Sequence, residues 1–422
     1  MQRFDSKIFI VLIAFSLSTS LVRFADAQST LNWPEYRGPL GDGQAIGETL
    51  VSKIDESKHV KWKTPIHGKG WSSPVVWGDQ VWLTTATEDG KEMSAICVDV
   101  HSGKVVRDML IHENEKPAFC HPTNSYASPT PAIEEGRVYL HFGSYGTTCL
   151  NTKTGEQVWQ RKDLECDHFR GPASSPILYD NMLIVALDGF DFQYVVALDK
   201  ETGKTIWKTD REIDYGSDNG DLKKAYSTGS VFEIDGVPIL VYPSAVATIA
   251  YNAKTGKPVW TVYHKGMNAS ARPVMTHNGL IVISNGMGNM IAVDPKGTGD
   301  ITKTNVAWTL KKGATKKPSQ LIIENRMYMV SDKGIASCVD PETGKTLWAE
   351  RVGGSFSASP IFDGTKILAF SEQGDVVSFL PAGGFESAGK SKLGDGFKAS
   401  PAVSGKKMIL RSFSHLYCVV GE

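Results

Sequence analysis

Beyond residue 27 this chain of 422 residues has no run of eighteen apolar residues, no surplus of charge of either sign, and little cysteine: six residues, no two adjacent. The missing run excludes a membrane-spanning helix from that part of the chain. Forty-five basic residues against 46 acidic ones leave a net charge of -1. That balance excludes a general affinity for nucleic acid or for anionic bilayers, so any electrostatic partner must be recognised locally. Catalytic signatures are missing too. There is no Gly-x-Ser-x-Gly elbow, no His-Glu-x-x-His and no Gly-x-x-x-x-Gly-Lys-Ser/Thr loop, so hydrolase, zincin and nucleotide-binding chemistry have no motif to rest on. Amphipathic stretches of helical period are absent as well, which sets aside a helix-pair solenoid.

What is present begins with an export signal. Arg3 and Lys7 precede an apolar run from Ile8 to Val22, and Ala25-Asp26-Ala27 stand before Gln28; charged, hydrophobic and small-residue regions in that order predict cleavage after Ala27. No Cys lies near that point, so no lipid anchor is expected, and the mature protein is expected in the periplasm or outside the cell. Residues 28–59 read as an N-terminal extension. From residue 60 onward, 41 Gly and 20 Pro across the whole chain, set between runs of Val, Ile, Tyr and Trp, predict short strands joined by tight turns.

One phrase recurs: an apolar pair, an Asp or Asn, a Thr-Gly-Lys turn, two residues, then Trp. It stands at Cys149 to Trp159, Ala197 to Trp207, Ala250 to Trp260 and Cys338 to Trp348, with weaker copies at Cys97 to Arg107 and Ala292 to Trp308. Physically it is a hairpin whose Gly supplies a positive φ and whose outer strand turns one Trp toward the neighbouring repeat. From Trp62 to Trp348 the marker positions are 40 to 53 residues apart, which suits a four-stranded propeller blade. A second phrase opens each repeat and counts eight: Ser73, Ser128, Ser175, Thr228, Arg272, Ser319, Ser359 and Ser400, most followed by Pro. The chain ends on a third strand at Leu416 to Val420, while Val60-Lys61-Trp62-Lys63 is a Trp strand with nothing before it. The N-terminal strand is therefore expected to complete the last blade and close the ring, which removes exposed sheet edges. The fold class is all-β, an eight-bladed propeller over residues 60–422, and nothing in it requires a partner copy.

The phrase Ala-Leu-Asp-x-x-Thr-Gly-Lys-x-x-Trp, as at Ala197 to Trp207, resembles the repeat of bacterial pyrroloquinoline-quinone-like propellers, a group that holds quinoprotein dehydrogenases and an outer-membrane assembly lipoprotein. The segment Trp33-Pro34-Glu35-Tyr36-Arg37-Gly38-Pro39, followed by Gly41-Asp42-Gly43, resembles the leader of exported propellers of that group. For a dehydrogenase the resemblance implies a quinone, a Ca²⁺ ion and an adjacent Cys-Cys pair against the quinone; this sequence has no such pair. The expectation is therefore a non-catalytic binding or assembly scaffold without a cofactor. A quinoprotein-type dehydrogenase and a carbohydrate-binding or carbohydrate-active propeller are the alternatives.

Cys97, Cys149, Cys338 and Cys418 share the strand position that Ala197 and Ala250 fill elsewhere, so they are expected to be small buried residues. Cys120 and Cys166 lie in corresponding loops of consecutive repeats, nine and ten residues before Pro129 and Pro176, and in an oxidising compartment they are expected to pair. His112, Glu113 and Glu115 read as a solvated loop. Asp214 to Asp221 offers oxygen ligands without the spacing of an EF-hand, so it reads as an ordinary polar loop, with Ca²⁺ binding there as the lesser alternative.

The functional surface is expected at the mouth of the central channel, where the innermost strands begin. The eight residues of the second phrase place a ring of hydroxyls there, interrupted by Arg272. Two positions earlier stand Trp71, Tyr126, Ala173, Tyr226, Ser270, Lys317, Ser357 and Lys398, which share that face. Arg170 and Lys224 come from nearby loops. Trp71, Tyr126 and Tyr226 are expected as stacking surfaces and Arg272 as the main charge contact, for an anionic or sugar-like ligand or the acidic segment of an envelope protein.

Overall fold

The computed structural model describes residues 31–287 and 289–421; the signal peptide inferred for residues 1–27 lies outside them. Eight sheets follow one another around a ring. Blade 1 is Val75–Trp77, Gln80–Ala86, Glu92–Asp99 and Val105–Glu113, each strand antiparallel to the next. Blades 2 to 7 repeat this order, and Gly299–Asp300 adds a short parallel strand to the rim of blade 4. In blade 8 the outermost strand comes from the other end of the chain: Val60–Pro65 pairs antiparallel with His415–Val420, Trp62 opposite Cys418. Closure by the N-terminal strand and the count of eight are thus both realised.

The core is a series of wedges between neighbouring blades rather than one central cluster; Trp82 and Cys97 of blade 1, for example, pack with Ile133 and Val138 of blade 2. The repeat phrase supplies the fastening. The indole of Trp62 donates to Val100 O at 3.0 Å, that of Trp159 to Lys200 O at 2.9 Å, that of Trp207 to Ala253 O at 3.2 Å and that of Trp308 to Pro341 O at 2.9 Å. Each acceptor lies in the turn of the following blade. The glycine of that turn has a positive φ, 72° at Gly103 and 71° at Gly203, and a Cβ on either would stand 2.6 or 2.7 Å from the incoming indole. Glycine is needed there for conformation and for clearance together. Blade 1 carries Arg107 in place of Trp, and its guanidinium reaches Lys153 O in the same way.

The four repeat cysteines are fully buried, as their small-residue position requires, and burial pushes the Cys97 and Cys149 thiols up to about 12. Cys120 and Cys166 are free thiols, not bridged. Their loops do meet, with Asn124 donating to Arg170 O at 2.8 Å, but the side chains face different ways. Cys120 Sγ points at Gly171 and Cys166 Sγ at Gly189, the latter buried 3.7 Å from His168 Nδ1. His112 is a further correction. It is buried on the last strand of blade 1, edge-on to Phe142, because the strand runs on to Glu113 before the loop begins.

Candidate functional site

A hydroxyl belt lies at the start of the innermost strands. Seven backbone amides each donate to the hydroxyl of the next blade at 2.9 or 3.0 Å: Ser73 to Thr130, Thr130 to Ser175, Ser175 to Thr228, Arg272 to Ser319, Ser319 to Ser359, Ser359 to Ser400, and Ser400 to Ser73. The step from Thr228 is missing because Arg272 has no hydroxyl. These oxygens satisfy strand ends in a crowded axis, so the belt is a structural seam. In blade 2 its member is Thr130 before Pro131, not Ser128 before Pro129: the Ser-Pro-Thr-Pro run offers the pattern twice, and the structure uses the second copy.

That shift by two residues reassigns the row above. The side chains two positions before the belt are Trp71, Ser128, Ala173, Tyr226, Ser270, Lys317, Ser357 and Lys398, and all eight line one cavity of about 440 Å³ at the mouth. Tyr126 is not among them. It is buried against Tyr145 in the wedge between blades 1 and 2, with its hydroxyl on Ala118 O at 2.7 Å. Loops add His121, Arg170 and Lys316 to the wall, and the floor is Tyr36.

Tyr36 belongs to a segment whose role the sequence did not reveal. Residues 33–54 run across the face opposite the mouth. Trp33 bridges Val76 of blade 1, Pro34 O accepts from Ile133 of blade 2, Arg37 reaches Gln320 O of blade 6 at 2.6 Å, Ala45 donates to Phe362 O of blade 7, and Ile54 donates to Ser391. The channel is thereby plugged below Tyr36, whose hydroxyl is 2.9 Å from Ser359 Oγ. Arg272, expected as the main charge contact for a ligand, serves the plug instead. Its guanidinium donates to Glu35 Oε1 at 2.8 Å, Tyr36 O at 2.6 Å and Ser230 Oγ at 3.1 Å, and the side chain is 4% exposed. Burial pushes the Glu35 carboxyl upward, and the Arg272 charge opposes that rise. An unmatched Arg in the belt and a Glu in the leader were the available signals; a single chain read for repeats does not connect residues 237 positions apart.

Lys224 is likewise not a mouth residue. Its Nζ is buried behind the wall, 2.9 Å from His168 Nδ1 and 2.8 Å from Asp188 O, and burial lowers its pKa. Beside it Arg211 and Asp188 form a fully buried bidentate pair at 2.5 and 2.8 Å.

The cations that do face the mouth are Arg170, Lys316, Lys317 and Lys398, and the residues lining the cavity include no carboxylate. Three acids stand behind them, one of which, Asp332, accepts from the Lys316 amide at 2.6 Å. Asp221 holds Arg170 through two bonds of 2.8 Å, which places the end of the Asp214 to Asp221 loop in an ion pair. Glu372 lies 3.3 Å from Lys317; burial alone would raise its carboxyl, but the Ser357 hydroxyl and the Lys317 and Lys398 charges outweigh it and hold it low. Lys398 Nζ bonds Thr123 O at 2.9 Å and sits 4.8 Å from the Trp71 ring, with Lys69 at 5.7 Å from the same ring. Burial, and then the nearby charges of Lys317 and Lys69, lower Lys398 against the pull of Glu372. The result is a concave, partly aromatic site with surplus positive charge and several ammonium donors to spare.

A Ca²⁺ ion beside a quinone requires carboxylate and other oxygen ligands. Among the described residues the cavity wall has no carboxylate, and no group of three or more His, Cys, Asp or Glu is arranged to hold a metal. These side chains do not fit the quinone and metal pair.

The chain resembles several known proteins. It is similar to the tetrathionate hydrolase of Acidithiobacillus ferrooxidans, 23% identical over 266 residues that make up 60% of this chain and 51% of that protein. It is also similar to the outer membrane protein assembly factor BamB of Legionella pneumophila, 24% identical over 238 residues, 56% of this chain and 47% of that one. The chain thus matches about half the length of each of these relatives. Among solved structures, a europium-containing methanol dehydrogenase superposes with a TM-score of 0.68 over 92% of this chain and 90% of that one, at 11% identity, which is a likeness of fold and not of chemistry. The family model described as outer membrane protein assembly factor BamB matches residues 44–186 and 191–419, so with its eight closed blades and its repeat phrase this chain belongs to that family.

Proposed function

We propose that the protein is an exported, non-catalytic scaffold of the cell envelope that binds an acidic segment of a partner protein in the mouth of its channel. The observation that carries this reading is the charge of the cavity: Arg170, Lys316, Lys317 and Lys398 face about 440 Å³ of space with no carboxylate among the described residues of its wall, on a chain whose overall charge is -1. A local excess of that kind attracts anions and selects among them by position. Trp71 and Tyr226 add flat apolar surface between the charges. Membership in a family described as an assembly factor favours a protein over a free sugar as the bearer of the acid groups, and the plug confines access to one end.

Calorimetric titration with sodium polyaspartate tests the reading. The mature protein is expected to bind it with an affinity that falls steeply as salt rises, and Lys317→Glu/Lys398→Glu is expected to weaken binding by about tenfold or more. Absence of binding, or binding that the double variant leaves unchanged, overturns it.

A further inference from the structure

The rim of the mouth carries a feature that its charges do not explain. Phe119, Phe169 and Phe192 are 53%, 38% and 50% exposed, on a surface where apolar side chains of that size ordinarily find cover. They are not scattered. Phe119 and Phe169 pack with tilted rings 5.2 Å apart, Phe169 and Phe190 likewise at 4.6 Å, and Phe192 stands on the same hairpin as Phe190. The row therefore runs from the connection between blades 1 and 2, through that between blades 2 and 3, to a hairpin of blade 3. It also joins the site: Phe169 precedes Arg170, Phe119 lies two residues before His121, and both Arg170 and His121 line the cavity.

The backbone is bent to present this row. Phe169 has φ = 45°, a left-handed conformation that favours glycine and costs a bulky residue roughly 1–2 kcal/mol. Arg170 N closes the turn on His168 O, and Phe190 supports the ring from below while itself lying against Gly220, where a Cβ would collide with it. A strained turn that holds an aromatic ring outward, beside a cationic cavity, is arranged for contact.

We infer that this aromatic ridge is a docking surface for a partner segment in which aromatic residues alternate with acidic ones, the aromatic side chains lying on Phe119, Phe169 and Phe192 while the carboxylates enter the mouth. The inference rests on the reading of the mouth as a site for acidic protein segments and names the sequence character of that segment. A polypeptide fits better than a bilayer, because the cations lie inside a concavity that a flat headgroup layer does not enter, whereas an extended chain reaches cavity and ridge together.

The test uses the mature protein and two synthetic peptides, one alternating Glu and Phe and one with Ser in place of each Phe, titrated by calorimetry. The Glu-Phe peptide is expected to bind about tenfold tighter or more, as burial of even one phenyl ring allows. Phe119→Ser/Phe192→Ser, two changes at exposed positions, is expected to abolish that advantage and leave the affinity for the Glu-Ser peptide unaltered. Equal affinity of the two peptides for the unaltered protein overturns the ridge and leaves the mouth standing. A Phe-dependent advantage that Lys317→Glu/Lys398→Glu does not weaken supports the ridge and overturns the mouth. If neither peptide binds, both fall. Sedimentation with phosphatidylglycerol vesicles supplies the last outcome: vesicle binding that is lost in the Phe double variant makes the ridge a membrane contact and overturns the peptide.

Discussion

Arg272 is buried between the hydroxyl belt and the N-terminal plug, with its guanidinium 2.8 Å from Glu35 Oε1. Seven blades keep a hydroxyl at its position in the belt, and Arg272→Ser looks from the sequence like a return to consensus. In the folded chain that change would leave Glu35 buried without its guanidinium, and breaking a buried pair by removing one partner costs about 3–5 kcal/mol. A urea denaturation midpoint well below that of the unaltered protein is the expected result, with partial recovery in Glu35→Gln/Arg272→Ser; an unchanged midpoint would mean that the plug contributes no stability through this pair. Buried histidines tie the stability of the fold to pH. Burial lowers His112 and His264 to about 4 and His141 to about 3, so in the folded chain they stay neutral where unfolded histidine, near 6.5, takes a proton. The unfolded state then binds more protons below pH 6.5, and stability falls as pH drops from about 6.5 toward 4, by up to about 1.4 kcal/mol per pH unit for each histidine. Glu35, raised by burial, has the opposite sign, and the carboxylates held low act only below their ordinary range. Denaturation midpoints at pH 7, 6 and 5 are expected to decline steadily, and a flat profile across that interval would show that these rings are not held neutral.

At the level of strands and turns the sequence was most legible, because the repeat phrase is itself a statement of packing. Asp or Asn, Thr-Gly-Lys and Trp encode a turn, a positive φ and an indole that fastens to the next blade, and most blade boundaries follow from them; blade 1 carries Arg107 at the Trp position and blade 7 carries Gly389. The mouth was less legible for an equally physical reason. A two-residue register choice in Ser128-Pro129-Thr130-Pro131 decides whether Tyr126 or Ser128 faces the channel, and both copies satisfy the pattern. Loops were hardest to read: Cys120 and Cys166 sit in adjacent loops, as their spacing suggests, yet side-chain direction within a loop has no periodicity to reveal it. The closing strand makes a direct test of the repeat logic. Trp62 is 8% exposed and packs on Gly103 of blade 1, so Trp62→Ala is expected to cost about 3–5 kcal/mol, and deletion of Val60 to Thr64 more, since the last sheet then also loses its outer ladder. A thermal midpoint unchanged by either would refute closure through this strand.

For the molecule as a whole, the N-terminal region does two separable jobs. Residues 60–65 complete the eighth sheet and so hold the ring shut, whereas residues 33–43 cross the far face and stop the channel. The second job depends on the first, because Glu35, Tyr36 and Arg37 find partners on blades 5, 6 and 7 only in a closed ring. The reverse dependence is weaker. Without residues 31–43 the blades keep their wedges and their Trp fastenings, Arg272 gains access to water from the open end, and the main loss is the burial of Trp33 against the wedge of blades 8 and 1. A chain lacking residues 31–43 is therefore expected to fold as a cooperative unit with a stability lowered by several kcal/mol, about the cost of truncating a buried aromatic. It is also expected to keep most of its affinity for polyaspartate, since Tyr36 is the one residue of the deleted segment that lines the cavity and the lysines of the mouth stay in place. If that truncated chain fails to fold while the chain lacking residues 60–64 still melts cooperatively, the plug and not the closing strand holds the ring together, and the assignment of the two jobs must be exchanged.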